Sequence, residues 1–128
     1  SGNSNSTFIY IDGVLRLTTT LTIQNQNEPF TIGSNNYNQP YVGNIDDVRV
    51  WNVQRTQSDI QTFMNQELLG NESGLIAYYT FNQGIASGNN TTITTILDKT
   101  NNALNGALNG FTKNGAFSNF VEGKVPSN

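Results

Sequence analysis

The segment Tyr41-Val-Gly-Asn-Ile-Asp-Asp-Val-Arg-Val-Trp51 carries the sequence pattern that decides the fold. Its side chains alternate between the two faces of an extended chain, as they do in a β-strand. The alternation places Asp46 on one face together with Val48 and Val50, and Trp51 on the other. The valines are expected to face the core, so Asp46 is expected on the core face near the start of the strand.

A short helix is predicted directly after this strand. Thr56 is a favoured N-cap residue, and Asp59 stands three residues later, near the positive end of the helix dipole. Apolar residues then recur at helical spacing: Ile60, Phe63 and Met64. The pattern predicts a helix over about residues 56–68, ended by Gly70.

Further strands are predicted on both sides of this segment. Residues 8–17 contain β-forming side chains around Asp12-Gly13, a strong type I′ turn signal, and are predicted to form a hairpin. Four more runs have strand-like composition: residues 20–24, 30–33, 74–81 and 93–97. Many short strands separated by turn signals predict an all-β protein, an antiparallel β-sandwich with one short helix.

The composition excludes several classes of function. The chain has 128 residues, enough for one domain, and a net charge of -3 with only 6 Lys and Arg residues. Without a basic cluster no nucleic acid is expected as a partner. No apolar run is long enough to cross a bilayer, so no membrane insertion is expected. The chain has no histidine and no cysteine, which excludes histidine-dependent triads and His/Cys zinc sites.

Three segments resemble laminin G-like and pentraxin-like modules, which have concanavalin A-like folds. They are the Ile9-Tyr-Ile-Asp-Gly13 hairpin, Ile32-Gly33 followed by residues 42–60, and residues 74–82 with Asp98-Lys-Thr-Asn-Asn102 downstream. The chain resembles in particular the C-terminal part of such modules in large surface proteins of bacteria, especially the Bacteroidetes. The resemblance implies a jelly-roll sandwich, located extracellularly or at the cell surface, that binds or adheres rather than catalyses.

A complete module of this family is longer, and its first half precedes the hairpin. The resemblance therefore implies a laminin G-like domain over residues 1–121 that lacks its N-terminal half, followed by a tail or linker at 122–128. Two arrangements would complete the sandwich. In the favoured arrangement, a complementary N-terminal segment of the same domain packs against the chain as a partner. In the other arrangement, residues 74–121 supply the lacking strands in a rearranged order.

A polar loop before the central strand is the candidate ligand site. Amide side chains hydrogen-bond hydroxyl groups, and tyrosine rings offer a stacking face, so these residue types suit a sugar. The candidate residues are Asn35, Asn36, Tyr37, Gln39 and Tyr41. In the pentraxin resemblance this loop holds acidic calcium ligands, but the corresponding positions here are neutral, which argues against a pentraxin-type double-calcium site. The alternative is a solvated polar loop without a ligand.

A structural calcium ion is considered at Asp46, Asp47 and Asp98, because calcium prefers several oxygen ligands. The alternative for Asp46 is hydrogen bonding at the strand start or pairing with Arg49 or Arg55. Asp98 lies in an asparagine-rich turn and could equally cap that turn with its own side chain. No cofactor besides this calcium is predicted.

The predicted function is that of a non-catalytic extracellular binding or adhesion module for carbohydrate or a surface protein. The glutamates are scattered at residues 28, 67, 72 and 122, whereas glycoside hydrolysis generally needs two placed carboxylates. Two alternatives remain open. The chain could be a structural spacer or assembly module of a large secreted protein, or an ancillary domain of a secreted polysaccharide-degrading enzyme.

Overall fold

A computed structural model describes residues 5–21, 28–34 and 39–123 of the chain. The described residues fall into two compact units. The first unit contains those up to Ile45 together with Thr56–Met64, and the second contains Asp46–Arg55 together with those from Asn65 onward. Among the described residues, no helix is long and apolar enough to cross a membrane.

A β-hairpin dominates the first unit. β1 (Asn5–Ile11) pairs antiparallel with β2 (Val14–Leu21). The turn residues Asp12 and Gly13 both have positive φ angles, 51° and 70°, as a type I′ turn requires. The predicted hairpin is therefore confirmed. β2 also includes the first two residues of the strand predicted at 20–24, and the rest of that prediction lies outside the described residues.

One face of the hairpin is aliphatic. Residues directly opposite each other in an antiparallel pair lie on the same face, and Ile9 opposes Leu17 while Ile11 opposes Val14. The four side chains are between 42% and 55% exposed. In an antiparallel sheet one face normally packs on a core, so these residues form an apolar surface that is left largely uncovered. We call it the aliphatic hairpin face.

The predicted helix forms as α1 (Gln57–Phe63), and its start is confirmed in detail. The Thr56 hydroxyl accepts a hydrogen bond from the Asp59 N–H at 3.1 Å, and the Asp59 carboxylate accepts one from the Thr56 N–H at 3.0 Å. This reciprocal pair is a capping box. Within the same unit, the side-chain amides of Gln57 and Gln61 donate to the Gly13 carbonyl at 3.1 and 2.9 Å, which anchors the helix to the hairpin turn.

The predicted end of the helix is wrong. α1 ends at Phe63 with Met64 as its C-cap, well before Gly70. The N–H groups of Leu69 and Gly70 donate to the Glu72 carboxylate at 2.8 and 3.0 Å. These bonds place Leu69 and Gly70 in a separate turn, held by a side chain, beyond the end of the helix.

The strand predicted at residues 30–33 is also absent, since residues 28–34 contain no strand. Gly33 has a φ angle of +80°, which turns the backbone out of an extended course. Its carbonyl accepts a hydrogen bond from the Tyr41 N–H at 2.7 Å. The segment therefore lies beside Tyr41 as part of a loop and does not form a strand.

In the second unit β3 (Val48–Trp51) pairs antiparallel with β4 (Leu75–Tyr79). Asp47 has a φ angle of 50°, so regular extended structure begins only at Val48. Asp46 therefore precedes the strand and is exposed, and the prediction that it lies on a core face is wrong.

β4 confirms most of the strand predicted at residues 74–81 and is the most buried strand of the second unit. Tyr78 is completely buried, and its neighbours Ala77 and Tyr79 are almost so. Other buried apolar residues of this unit are Leu68, Leu75, Ile96 and Phe120. β5 (Thr95–Ile96) confirms the middle of the strand predicted at 93–97, and it pairs antiparallel with β6 (Gly106–Ala107).

The described residues thus form three two-stranded antiparallel sheets, with α1 as their one α-helix and a single 3-10 turn at Gly115–Phe117. The prediction of an all-β, antiparallel fold with one short helix is confirmed.

Candidate functional site

A shallow depression lies in the first unit beside the loop that the sequence singled out. Its volume is about 510 Å³, and its lining residues are Gly33, Ser34, Gln39, Pro40, Tyr41 and Ile45. The depression combines a hydroxyl group and an amide with a tyrosine ring and aliphatic side chains. Small-molecule sites are commonly built in this way, with apolar walls and a few polar groups.

Hydrogen bonds and a close side-chain contact fix the chain segments that line the depression. The hydrogen bond from the Tyr41 N–H to the Gly33 carbonyl brings residues from both ends of the loop side by side. The Thr31 hydroxyl donates to the Ser34 carbonyl at 2.8 Å and fixes the first wall. A methyl group added at Gly33 would stand 3.3 Å from Cδ1 of Ile45, so the Ile45 side chain lies close against this glycine.

Tyr41 is the most prominent side chain of the depression, and it is 60% exposed. The phenolic end of its ring rests against the backbone of Gly43. A Cβ atom built at Gly43 would lie only 2.7 Å from the Tyr41 Oη and 2.8 Å from two of its ring carbons. The ring is therefore supported by its own chain while most of its surface remains open to solvent.

Two of the five predicted ligand residues, Gln39 and Tyr41, line the depression. Asn35, Asn36 and Tyr37 lie outside the described residues, so their role stays a prediction. The sequence reasoning missed the remaining lining residues: Gly33, Ser34, Pro40 and Ile45. A signal was available, because a glycine on each side of a polar loop indicates a place where the chain approaches itself closely.

Asp46 and Asp47 occupy different environments although they are adjacent. The Asp46 carboxylate is exposed and accepts a hydrogen bond from the Asp47 N–H at 2.9 Å. The Asp47 carboxylate accepts a hydrogen bond from the Tyr78 hydroxyl and lies 3.7 Å from the guanidinium of Arg49. The pairing with Arg49 that was considered for Asp46 is thus made by Asp47.

Asp98 is almost buried, with 9% of its surface exposed, and it accepts four hydrogen bonds. The Tyr78 N–H donates at 2.9 Å, the Thr100 N–H at 3.0 Å, the Thr100 hydroxyl at 2.7 Å and the Leu104 N–H at 3.0 Å. Burial raises the pKa of this carboxyl, but the hydrogen bonds from Thr100, Tyr78 and Leu104 outweigh it and hold the pKa below its ordinary value. Asp98 therefore caps its own turn, which was one of the two readings of the sequence.

These contacts bear on the possible calcium site. The carboxylates of Asp47 and Asp98 are engaged by protein donors, and the cationic side chain of Arg49 stands beside Asp47. Among the described residues, no group of three or more acidic side chains is placed to hold a metal ion. The geometry does not fit a calcium cage built from Asp46, Asp47 and Asp98, and calcium binding stays an untested prediction.

Comparison with known proteins gives one match. Residues 1–61 match a laminin G family model described as the concanavalin A-like lectin/glucanases superfamily. No curated protein and no solved structure matches the chain significantly. The matched residues include the hairpin, every lining residue of the depression and β3. Over residues 1–61 the chain is therefore similar to the concanavalin A-like lectin/glucanase modules of the laminin G type.

Proposed function

We propose that the protein is a non-catalytic binding module, extracellular or at a cell surface, that recognises carbohydrate through the depression around Tyr41. The observation that carries this proposal is the convergence of an exposed tyrosine ring with a glutamine amide and a serine hydroxyl in one shallow site. A surface protein is the alternative ligand. A carbohydrate is favoured, because its hydroxyl groups suit the amide and hydroxyl while its C–H faces suit the ring.

The absence of catalysis is part of the proposal. The description of the matched family names both lectins and glucanases. The contacts of two described glutamates support the non-catalytic reading. Glu67 forms an ion pair with Lys99 at 2.7 Å, and Glu72 accepts the N–H groups of Leu69 and Gly70. Both glutamates thus stabilise the second unit, whereas glycoside hydrolysis needs two carboxylates that flank a substrate bond.

The test is glycan binding by the purified chain, measured on an array of oligosaccharides and then by calorimetry with the best binder. We expect Gln39→Ala and Tyr41→Ala each to lower the affinity by about tenfold, since each removes a main contact of the site. Gln54→Ala and Phe111→Ala are matched controls, because both residues are exposed and neither lines the depression. The controls should bind like the wild type.

Two results would contradict the proposal. One is wild-type chain that binds no glycan on the array, and the other is binding that survives both depression variants unchanged. Release of reducing sugar from the bound polysaccharide would overturn the non-catalytic part alone.

A second candidate function is an assembly module, and the aliphatic hairpin face favours it. Four aliphatic side chains lie together on a two-stranded sheet and remain about half exposed. Contiguous apolar surface of this kind commonly marks a place where another polypeptide packs. We propose a complementary β-segment of the same domain as the occupant.

A further inference from the structure

From the depression we infer that the protein recognises an uncharged sugar without a divalent cation, and that Gly43 sets the ring position of Tyr41 on which the sugar stacks. This inference rests on the proposed carbohydrate-binding function and deepens it.

The charge of the ligand follows from the lining of the site. All six described lining residues are uncharged at neutral pH. The sequence from residue 29 to residue 45 contains no Asp, Glu, Lys or Arg. A sulfated or uronic-acid sugar would lose hydration on binding without gaining an opposite charge, which is unfavourable. A neutral sugar loses little, because hydroxyl groups exchange water for amide and hydroxyl partners.

The same lining gives no support for a cation-bridged ligand. Calcium requires several oxygen ligands, usually with carboxylates among them. The depression offers a hydroxyl, an amide and a phenol in its described lining, and none of these carries the negative charge that a calcium ion needs. Recognition is therefore carried by the ring and by neutral hydrogen-bonding groups.

Gly43 acts through Tyr41 and is a positioning residue. The ring rests so close to Gly43 that any side chain there would collide with its phenolic end. The backbone of Gly43 also has a φ angle of +157°, a conformation that residues with a side chain rarely adopt. A methyl group at this position would push the ring away from its support, and stacking depends on the placement of the ring.

The experiment measures the affinity of the purified chain for two matched glycan sets, neutral oligosaccharides and their sulfated or uronic-acid counterparts. Neutral glycans should bind at least about tenfold more tightly, and their affinity should change by less than about twofold between 0.05 and 0.5 M NaCl. Addition of a chelator should leave the affinity unchanged. A chelator-sensitive affinity, or a preference for acidic glycans, would overturn the statement on charge.

Variants test the positioning role. Tyr41→Phe should retain most of the affinity, because the ring remains, whereas Gly43→Ala should lose about tenfold, as Tyr41→Ala does. Because Gly43→Ala could strain the backbone, the Tm of each variant is measured alongside, and Gly110→Ala serves as a control at a positive-φ glycine with open space around it. The double variant G43A/Y41A should bind no worse than Y41A, since both changes remove the same contact.

The outcomes separate this inference from the function on which it rests. No glycan binding by the wild type would end the proposed function itself. Glycan binding that is lost in Tyr41→Ala but kept in Gly43→Ala would leave that function standing and overturn the positioning role. Binding that is kept in Tyr41→Ala, but lost together with a lower Tm in Gly43→Ala and in the double variant, would also overturn the positioning role.

Discussion

Asp98 links parts of the second unit that lie far apart in the sequence. Its two carboxylate oxygens accept N–H groups from β4, from its own turn and from Leu104, so one side chain fixes three backbone segments. Hydrogen bonds to a charged acceptor contribute more to stability than neutral ones. The turn-capping part of this role could be predicted from the sequence, because aspartate commonly caps its own turn. The bond to Tyr78 could not, because it joins residues 20 positions apart.

Asp98→Asn is expected to lower the free energy of unfolding by about 2–3 kcal/mol, because an amide loses the charge and turns a donor toward bound N–H groups. Chemical denaturation followed by fluorescence of Trp51, the single tryptophan, measures this in the same unit. Glu122→Gln is the control, since that carboxylate is exposed. Equal stability of the Asp98 variant and the control would show that the hydrogen bonds contribute nothing net.

The same carboxyl predicts how stability depends on pH. The pKa of Asp98 in the folded chain lies below its ordinary value of 3.8. A lowered folded-state pKa stabilises the fold above the unfolded-state pKa, and this stabilisation is lost as the pH falls from about 4 through the folded-state value. The wild type should therefore lose more stability in this acidic range than Asp98→Asn does. Parallel pH profiles for the two proteins would contradict the assignment.

At the scale of single elements, features that depend on residues close in sequence were predicted correctly, whereas features that depend on long-range contacts were not. The capping box of α1 and the type I′ turn of the hairpin depend on residues close in sequence, and both could be predicted. The strand predicted at residues 30–33 failed because composition does not reveal the left-handed backbone of Gly33 or its bond to Tyr41. The depression was found only in part for the same reason, since its walls meet through contacts across a loop.

Thr56→Ala is expected to destabilise α1 by about 1 kcal/mol, because it removes the side-chain acceptor of the capping box. Hydrogen exchange checks this at the Ile60 amide, which donates to the Thr56 carbonyl at 3.0 Å. Its protection should fall by about fivefold where local opening dominates exchange. Thr56→Ser should retain protection, and Ser58→Ala, an exposed change inside the helix, should not lower it. An unchanged rate in Thr56→Ala would refute the contribution of the cap.

At the scale of the whole molecule, the two described units differ in how they are stabilised. The second unit contains every buried apolar side chain of the described residues, centred on β4. The first unit leaves the aliphatic hairpin face largely exposed. The sequence could predict that these strands are amphipathic, but not that their apolar face would remain uncovered, because periodicity says nothing about what packs against a face.

Because the aliphatic hairpin face is exposed, we expect the purified chain to self-associate. The paired change Ile11→Thr and Leu17→Thr should reduce concentration-dependent association in light scattering and lower the binding of a hydrophobic dye, while the circular dichroism spectrum stays the same. Threonine keeps the β-propensity of the strands. Val42→Thr is the control, because Val42 is exposed but lies outside the hairpin. A wild type that is monomeric at all concentrations and binds no dye would refute the assembly role.

The anchoring of α1 on the Gly13 carbonyl has a consequence for the order in which the first unit folds. A helix of seven residues is too short to persist alone in water, since nucleation is costly and few bonds repay it. Both glutamine amides that hold it converge on one carbonyl of the hairpin turn. That acceptor is correctly placed only after the turn has closed. The helix should therefore form late, on a hairpin that has already assembled.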